Sequence, residues 1–213
     1  MICYHPQRDD DGRLVVIKHP HQPSALPTWS NRREIATVTP GAPMPLAVGD
    51  IEVSSWKEAP VAPSGWESLT EGYAFEERPF HTHGKNAASG AIIIEVDGRV
   101  WLTSPSNQHG GYHTTFPKGT VDAKLSLRAT ALKEVYEETG LQIELTGFLC
   151  DSDRSLSWSR FYLARRLRGN PADMGWETQA VHLVPAERLS EVVRHPNDQP
   201  VLAALRAHLP RKP

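Results

Sequence analysis

Cysteine, net charge and long apolar runs are all scarce in this chain of 213 residues, and each scarcity excludes a class of protein. Two cysteines, Cys3 and Cys150, cannot build a disulfide framework, so we expect a protein of a reducing compartment. The formal net charge of −2 gives no strong sign of a nucleic-acid or membrane-surface protein. No segment has the length of a transmembrane helix, and the first residues lack the pattern of a signal peptide. We therefore expect a soluble, cytoplasmic protein.

Proline, by contrast, is abundant, and its distribution divides the chain. Nine of the 18 prolines fall within the first 63 residues, yet short apolar segments at 14–17, 35–38 and 51–53 are typical of strands. We predict a β-containing extension over residues 1–60, an irregular linker over 61–87 and a main domain over 88–213. Because the extension cannot bury a core of its own, we expect it to pack on the main domain or to complete a homodimer.

The main domain has strand patterns at 89–96, 99–103, 112–116, 142–150, 158–166 and 178–184, with a hairpin turn at Asp97-Gly98. A helix is predicted between Ser126 as N-cap and Gly140 just past its C-terminus. Two shorter helices are predicted at 186–194 and 200–209. Elements in this order predict a mixed sheet packed between helices.

The predicted helix after Ser126 has three glutamates, Glu134, Glu137 and Glu138, on one face. At about 100° per residue, the second and third lie roughly 60° and 40° to either side of the first. Since like charges four residues apart repel, such a face is either solvated or binds a cation. Carboxylate oxygens suit a hard ion such as Mg²⁺ or Mn²⁺. Before the helix, Lys118 and Gly119 follow a strand pattern, and glycine there allows a ligand close to the backbone.

Residues 119–141 resemble the Nudix box: Gly, five residues, Glu, seven residues, Arg-Glu, an aliphatic, any residue, Glu-Glu, any residue, Gly and an aliphatic. Seven positions match, namely Gly119, Glu134, Val135, Glu137, Glu138, Gly140 and Leu141. Leu125 replaces the first Glu, and Lys133 replaces the Arg. In the family these two positions support the metal-binding glutamates, and the Arg orients a carboxylate. Lys133 keeps the charge but cannot make a bidentate contact, and we interpret the two changes as a coupled replacement.

The resemblance implies the Nudix α/β/α sandwich with a mixed sheet, an α/β (or α+β) fold, here with an N-terminal β extension. It also implies a Mg²⁺-dependent hydrolase, with Mn²⁺ as the alternative ion. Such an enzyme uses metal-activated water to cut the diphosphate of a nucleotide derivative: a dinucleoside polyphosphate, ADP-ribose or a nucleotide sugar. Glu134 and Glu138 would be the principal metal ligands, with help from Glu137 and the Gly119 carbonyl. The alternative is a Nudix-like nucleotide sensor without activity, which Leu125 and Lys133 favour.

The resemblance also implies a general base, and side-chain type suggests the substrate-binding groups. Relatives place the base in the box or on a late loop, so Glu177 is the first candidate and Glu134 the second. The candidates for neutralising phosphates are Lys118, His109, His113, Arg154 and Arg160. The candidates for stacking on a base are Tyr112, Phe116, Trp158 and Trp176. The His81–His83 pair has no cysteine or third histidine nearby in the sequence, which argues against zinc.

Overall fold

The computed structural model describes residues 2–209. This part of the chain contains eleven strands and four α-helices. The strands are β1 (Cys3–Arg8), β2 (Leu14–Ile17), β3 (Ala36–Val38), β4 (Ala47–Val48), β5 (Ile51–Glu52), β6 (Asn86–Ile93), β7 (Arg99–Pro105), β8 (Lys118–Thr120), β9 (Leu141–Asp153), β10 (Ser157–Gly169) and β11 (Thr178–Pro185). The helices are α1 (Pro63–Ser68), α2 (Leu127–Thr139), α3 (Leu189–Val192) and α4 (Gln199–His208).

Two sheets form the centre of the molecule. One has the order β8-β6-β10-β9, in which β6 and β10 are parallel and the other pairs are antiparallel. The other is antiparallel, with the order β3-β11-β7. Helix α2 packs against β6 and β9. The predicted mixed sheet is therefore confirmed. Two small hairpins, β1–β2 and β4–β5, complete the strand pairing within the described residues.

Helix α2 begins and ends where the sequence predicts. The Ser126 hydroxyl accepts a hydrogen bond from the Ala129 amide at 3.2 Å, and Gly140 adopts a left-handed φ of 67° at the other end. On its inner face Ala131 and Val135 are fully buried. This packing fixes the direction in which the glutamates on the adjoining face project.

Four local features differ from what the sequence predicts. The turn at Asp97-Gly98 forms, but β6 and β7 share only the bridge between Ile94 and Val100, because each strand then joins a different sheet. Residues 112–116 do not form a strand; there, Thr115 makes a single bridge to Thr103. Helix α1 lies inside the segment expected to be irregular, and β1 had no strand signal that we used.

The predicted extension packs on the main domain of its own chain. Strand β3 pairs with β11 as an edge strand of the second sheet. Trp29, 2 % exposed, lies in the same apolar core as Val135. Arg99 donates to the Trp29 carbonyl at 2.6 Å, and the fully buried Arg166 donates to the Val48 carbonyl at 2.6 Å. The boundaries of the three regions and the homodimer stay predictions.

A buried histidine joins the extension to the second sheet. One ring nitrogen of His182 bonds the Thr37 hydroxyl at 2.9 Å and the other bonds the Ser104 hydroxyl at 2.9 Å. The His21 ring lies 5.0 Å from the His182 ring, centroid to centroid. Burial lowers the pKa of His182 from 6.5 to about 3, and the neighbouring His21 adds to this effect.

We therefore expect His182 to make the fold sensitive to acid. Below pH 6.5, the ordinary pKa, the unfolded chain binds a proton at this side chain, whereas the folded chain does not until about pH 3. Stability should thus fall as the pH falls through this window, by up to about 1.4 kcal/mol per pH unit. Urea denaturation between about pH 7 and pH 5 measures the slope. His182→Gln should flatten it, whereas His208→Gln, at an exposed position, should not; equal slopes in parent and His182→Gln would refute the assignment.

Candidate active site

The predicted acidic residues line one open cleft of about 660 Å³. Glu134, Glu137 and Glu138 reach it from α2, and Glu177 reaches it from the segment that precedes β11. Gly175, in that segment, donates its amide to the Glu137 carbonyl at 2.7 Å. This bond ties the Glu177 segment to the helix, so four carboxylates from two parts of the sequence face one space.

Gly119, on β8, lies directly beneath the Glu134 carboxylate. A Cβ atom at position 119 would sit 1.9 Å from Glu134 Oε2, well inside van der Waals contact. The glycine is therefore required by a close approach and not by an unusual backbone angle. The Glu134 carboxylate occupies the space that a side chain at position 119 would fill.

Gly119→Ala should consequently impair the site more than the fold. The clash falls on the end of a flexible side chain, which can swing away at a small cost in stability. Gly90→Ala is the contrast, because its Cβ would lie 2.2 Å from the Pro117 carbonyl oxygen, which belongs to the backbone. We expect Gly119→Ala to melt near the parent temperature yet lose most turnover, and Gly90→Ala to melt much earlier. Parent-like turnover in Gly119→Ala would show that the Glu134 position is unimportant.

Lys133 joins three acidic side chains at the edge of the cleft. Its ammonium lies 2.9 Å from Glu137, 3.4 Å from Asp122 and 3.7 Å from Glu134. Leu125 is 8 % exposed and packs in the apolar core. Leu125 therefore does not line the cleft, and the coupled replacement of positions 125 and 133 stays a prediction. Asp122, three residues earlier, is the additional acidic partner of Lys133.

Glu134 and Glu138 are desolvated as well as crowded, whereas the Glu137 side chain is exposed. Burial raises the pKa of Glu134 to about 7, and the attraction of Lys133 offsets this only in part. Burial also raises the pKa of Glu138, whose carboxylate accepts a hydrogen bond from the Lys118 amide at 3.2 Å. At Glu177 the pKa is raised by burial and then by the charge of Glu137. A bound cation would relieve these penalties by stabilising the charged forms.

The donor set of the cleft fits a hard divalent ion. Among the described residues lining it, the carboxylates of Asp and Glu are the main oxygen donors, and neither Cys nor His is present. Within residues 2–209, no three His, Cys, Asp or Glu side chains are already gathered at one point as a metal site. Lys133 instead partly neutralises the carboxylates. An ion would have to draw Glu134 and Glu137 away from that ammonium.

Lys118 and Tyr112 lie together beside the cleft, outside its lining. The Lys118 ammonium stands 5.3 Å from the centre of the Tyr112 ring. Burial lowers the pKa of Lys118, although the charge of Glu138 opposes the shift. Arg154 donates to the Tyr112 hydroxyl at 3.0 Å and pairs with the buried Asp198. These residues place positive charge behind Glu138, and their contact with substrate stays a prediction.

Two predicted substrate-binding residues are wrong. Phe116 is fully buried and packs edge-on against Phe161, so its ring has no face for a base. Arg160 is 2 % exposed, and its guanidinium donates to Asp151 and Glu77, which leaves it a structural role. Both were assigned from side-chain type alone, and burial decides against them.

The remaining candidates are dispersed. His113 lines a separate pocket, Trp158 packs against His83 at 4.5 Å, and the side chain of His109 lies outside what the structure describes. Trp176 lines the acidic cleft. Sequence reasoning missed Gln7 and Asp10, which reach the same cleft from the β1–β2 hairpin. The acidic turn at 9–12 is evident in the sequence. Because it lies more than 100 residues before the box, its position in the cleft could not be predicted.

A family model described as the NUDIX domain matches residues 84–205, more than half of the chain. The chain therefore belongs to the Nudix family, and the predicted Nudix fold is confirmed. The part of the chain that the structure describes has no helix with the length and apolarity needed to cross a bilayer.

The curated relatives include the RNA pyrophosphohydrolases of two strains of Caulobacter vibrioides. Each is 34% identical over 92 residues, which cover 42% of this chain and 50% of the relative. The chain thus spans about half the length of the curated relatives it matches. Among solved structures, a NUDIX hydrolase from Nitrosomonas europaea aligns with a TM-score of 0.50 at 15% identity, covering 58% of this chain and 90% of that one. This likeness concerns the fold alone.

Proposed function

We propose that this chain is a divalent-metal-dependent hydrolase that cuts the diphosphate linkage of a nucleoside diphosphate derivative. The observation that carries the proposal is the meeting of Glu134, Glu137, Glu138 and Glu177 in one cleft. A surface that is merely solvated would not bury Glu134 to 8 % exposure or seat its carboxylate on a glycine. The site is built at a cost in electrostatic repulsion, which a bound cation would remove.

Glu134 and Glu138 would hold the ion, with Glu137 and the Gly119 carbonyl as further oxygen donors. Mg²⁺ is the ion proposed, and Mn²⁺ would serve as well. When bound, such an ion polarises phosphoryl oxygens and lowers the pKa of water. Lys133 would then stay beside Asp122 and neutralise part of the acidic charge at the edge of the cleft.

Glu177 would act as the general base. Its carboxylate faces the cleft, and its raised pKa brings it nearer to neutrality, where a base is most effective. It accepts a proton as the oxygen of water attacks phosphorus. The bond to the bridging oxygen of the diphosphate breaks, and that oxygen leaves with its electron pair on the departing phosphate. Glu134 is the alternative base, but its close seat against Gly119 suits a ligand better.

Dinucleoside polyphosphates, ADP-ribose and nucleotide sugars are the candidate substrates from the box and the residues before it. The likeness to proteins named RNA pyrophosphohydrolase adds a fourth candidate, the polyphosphate at the 5′ end of an RNA. All four present a diphosphate attached to a nucleoside, which is the chemistry that the cleft would recognise.

A panel of these four substrates, each assayed with Mg²⁺, with Mn²⁺ and with EDTA, tests the proposal. Product masses identify the bond that is cut. We expect turnover of at least one substrate with metal and none with EDTA. Nucleotide binding without turnover of any member would favour the alternative, a Nudix-like sensor.

A further inference from the structure

The β1–β2 hairpin extends to the acidic cleft, far along the chain from the box. His5 and Ile17 are 3 % and 8 % exposed, which anchors the hairpin on the domain. Its turn is closed by Asp9, whose carboxylate accepts from the Arg13 amide at 2.7 Å. The next residue, Asp10, is thereby presented to the cleft.

Asp10 contacts an aromatic residue of the cleft. Its carboxylate accepts a hydrogen bond from the Trp176 indole nitrogen at 3.3 Å. The backbone around Trp176 is already held, since its carbonyl accepts from the Ser106 hydroxyl at 2.8 Å and Gly175 is bonded to α2. With the backbone fixed, the bond to Asp10 selects the direction of the indole.

Trp176 differs from the other aromatic residue in the cleft wall. Tyr136 packs against Trp56 and Trp66, with ring centres 5.2 Å and 5.9 Å away. Among the described residues, no comparable ring contact involves Trp176, which is half-buried. The Trp176 indole is therefore available to contact a ligand in the cleft, and the glutamates line the opposite side.

We propose that the β1–β2 hairpin is part of the substrate site and that Asp10 is a positioning residue, which holds the Trp176 indole against the base of a bound nucleotide. This inference rests on the proposed function. The acidic wall and its ion would take the phosphates, and a flat apolar ring suits the stacking of a base. The charge of Asp10 repels an anionic ligand, so its presence here is better explained by the hydrogen bond it accepts than by direct contact with phosphate.

Titration calorimetry in Mg²⁺ with two probes, ADP and inorganic pyrophosphate, tests the inference, because pyrophosphate has no base. Asp10→Ala should weaken ADP binding by about fivefold to tenfold and leave pyrophosphate binding no weaker than in the parent, because the lost charge repels both probes. Asp10→Asn loses the same charge but keeps an oxygen acceptor, and should bind both probes at least as tightly as the parent. In a Trp176→Phe background, which lacks the indole donor, Asp10→Ala should have no further effect.

Other outcomes would overturn the inference. If Asp10→Asn and Asp10→Ala weaken both probes equally, Asp10 acts through its charge, as it would beside a cation. Unchanged ADP binding in Asp10→Ala would show that Asp10 does not position a stacking residue. A parent that binds pyrophosphate as tightly as ADP would show that Trp176 does not stack on the base. Because binding is measured without turnover, an inactive protein that binds ADP as described contradicts the proposed function and leaves this inference standing.

Discussion

Glu138→Gln is expected to lower turnover by about 10²–10³-fold, the loss typical of a removed electrostatic contact in a transition state. The same change should leave the metal-free protein as stable as the parent, or more stable by a few tenths of a kcal/mol. The reason is that burial and the neighbouring Glu134 and Glu177 disfavour the charged form of Glu138. A neutral amide avoids that penalty and can still accept the bond from the Lys118 amide.

Thermal melts in EDTA and in Mg²⁺, beside a turnover assay, measure both halves of this expectation. Glu144→Gln is the matched control, because Glu144 lies on β9 and pairs with Arg165 outside the cleft. It should leave turnover unchanged. An earlier melt of Glu138→Gln in EDTA, or parent-like turnover, would mean that Glu138 is a structural carboxylate.

Trp29→Ala is expected to lower the free energy of unfolding by about 3–5 kcal/mol, as for a tryptophan in a domain core. Trp29 belongs to the predicted extension, but it is 2 % exposed and its ring lies 5.9 Å from that of Trp101 in the second sheet. Truncation would leave a cavity between the two regions and would expose the Arg99 donor that bonds the Trp29 carbonyl.

Chemical denaturation of three variants gives the comparison. Trp101→Ala reports the cost in the main domain, and Trp158→Ala reports the cost of a half-buried tryptophan on β10. We expect Trp29→Ala to resemble the former and to unfold in a single transition. A loss as small as that of Trp158→Ala, or a second transition, would indicate an extension that folds separately from the domain.

The sequence by itself determined the helix with its acidic face and the class of fold. Ser126, Gly140 and the apolar positions of α2 act through contacts within a few residues, and periodicity reveals such contacts. The spacing of the glutamates depends on the same local geometry. Family resemblance then pointed to Glu177, and the structure places that residue in the cleft although nothing local connects it to the helix.

Only the tertiary structure decided which side chains can reach a ligand. Phe116 and Arg160 have suitable chemistry, but the sheet buries one and ion pairs occupy the other. Asp122 became the partner of Lys133, and Asp10 reached the cleft, through contacts whose distance along the chain no periodic pattern records. Strand pairing is likewise decided by the tertiary structure. Strands β6 and β7 belong to different sheets because each pairs with strands that are distant in the sequence, and this pairing determines which side chains are buried.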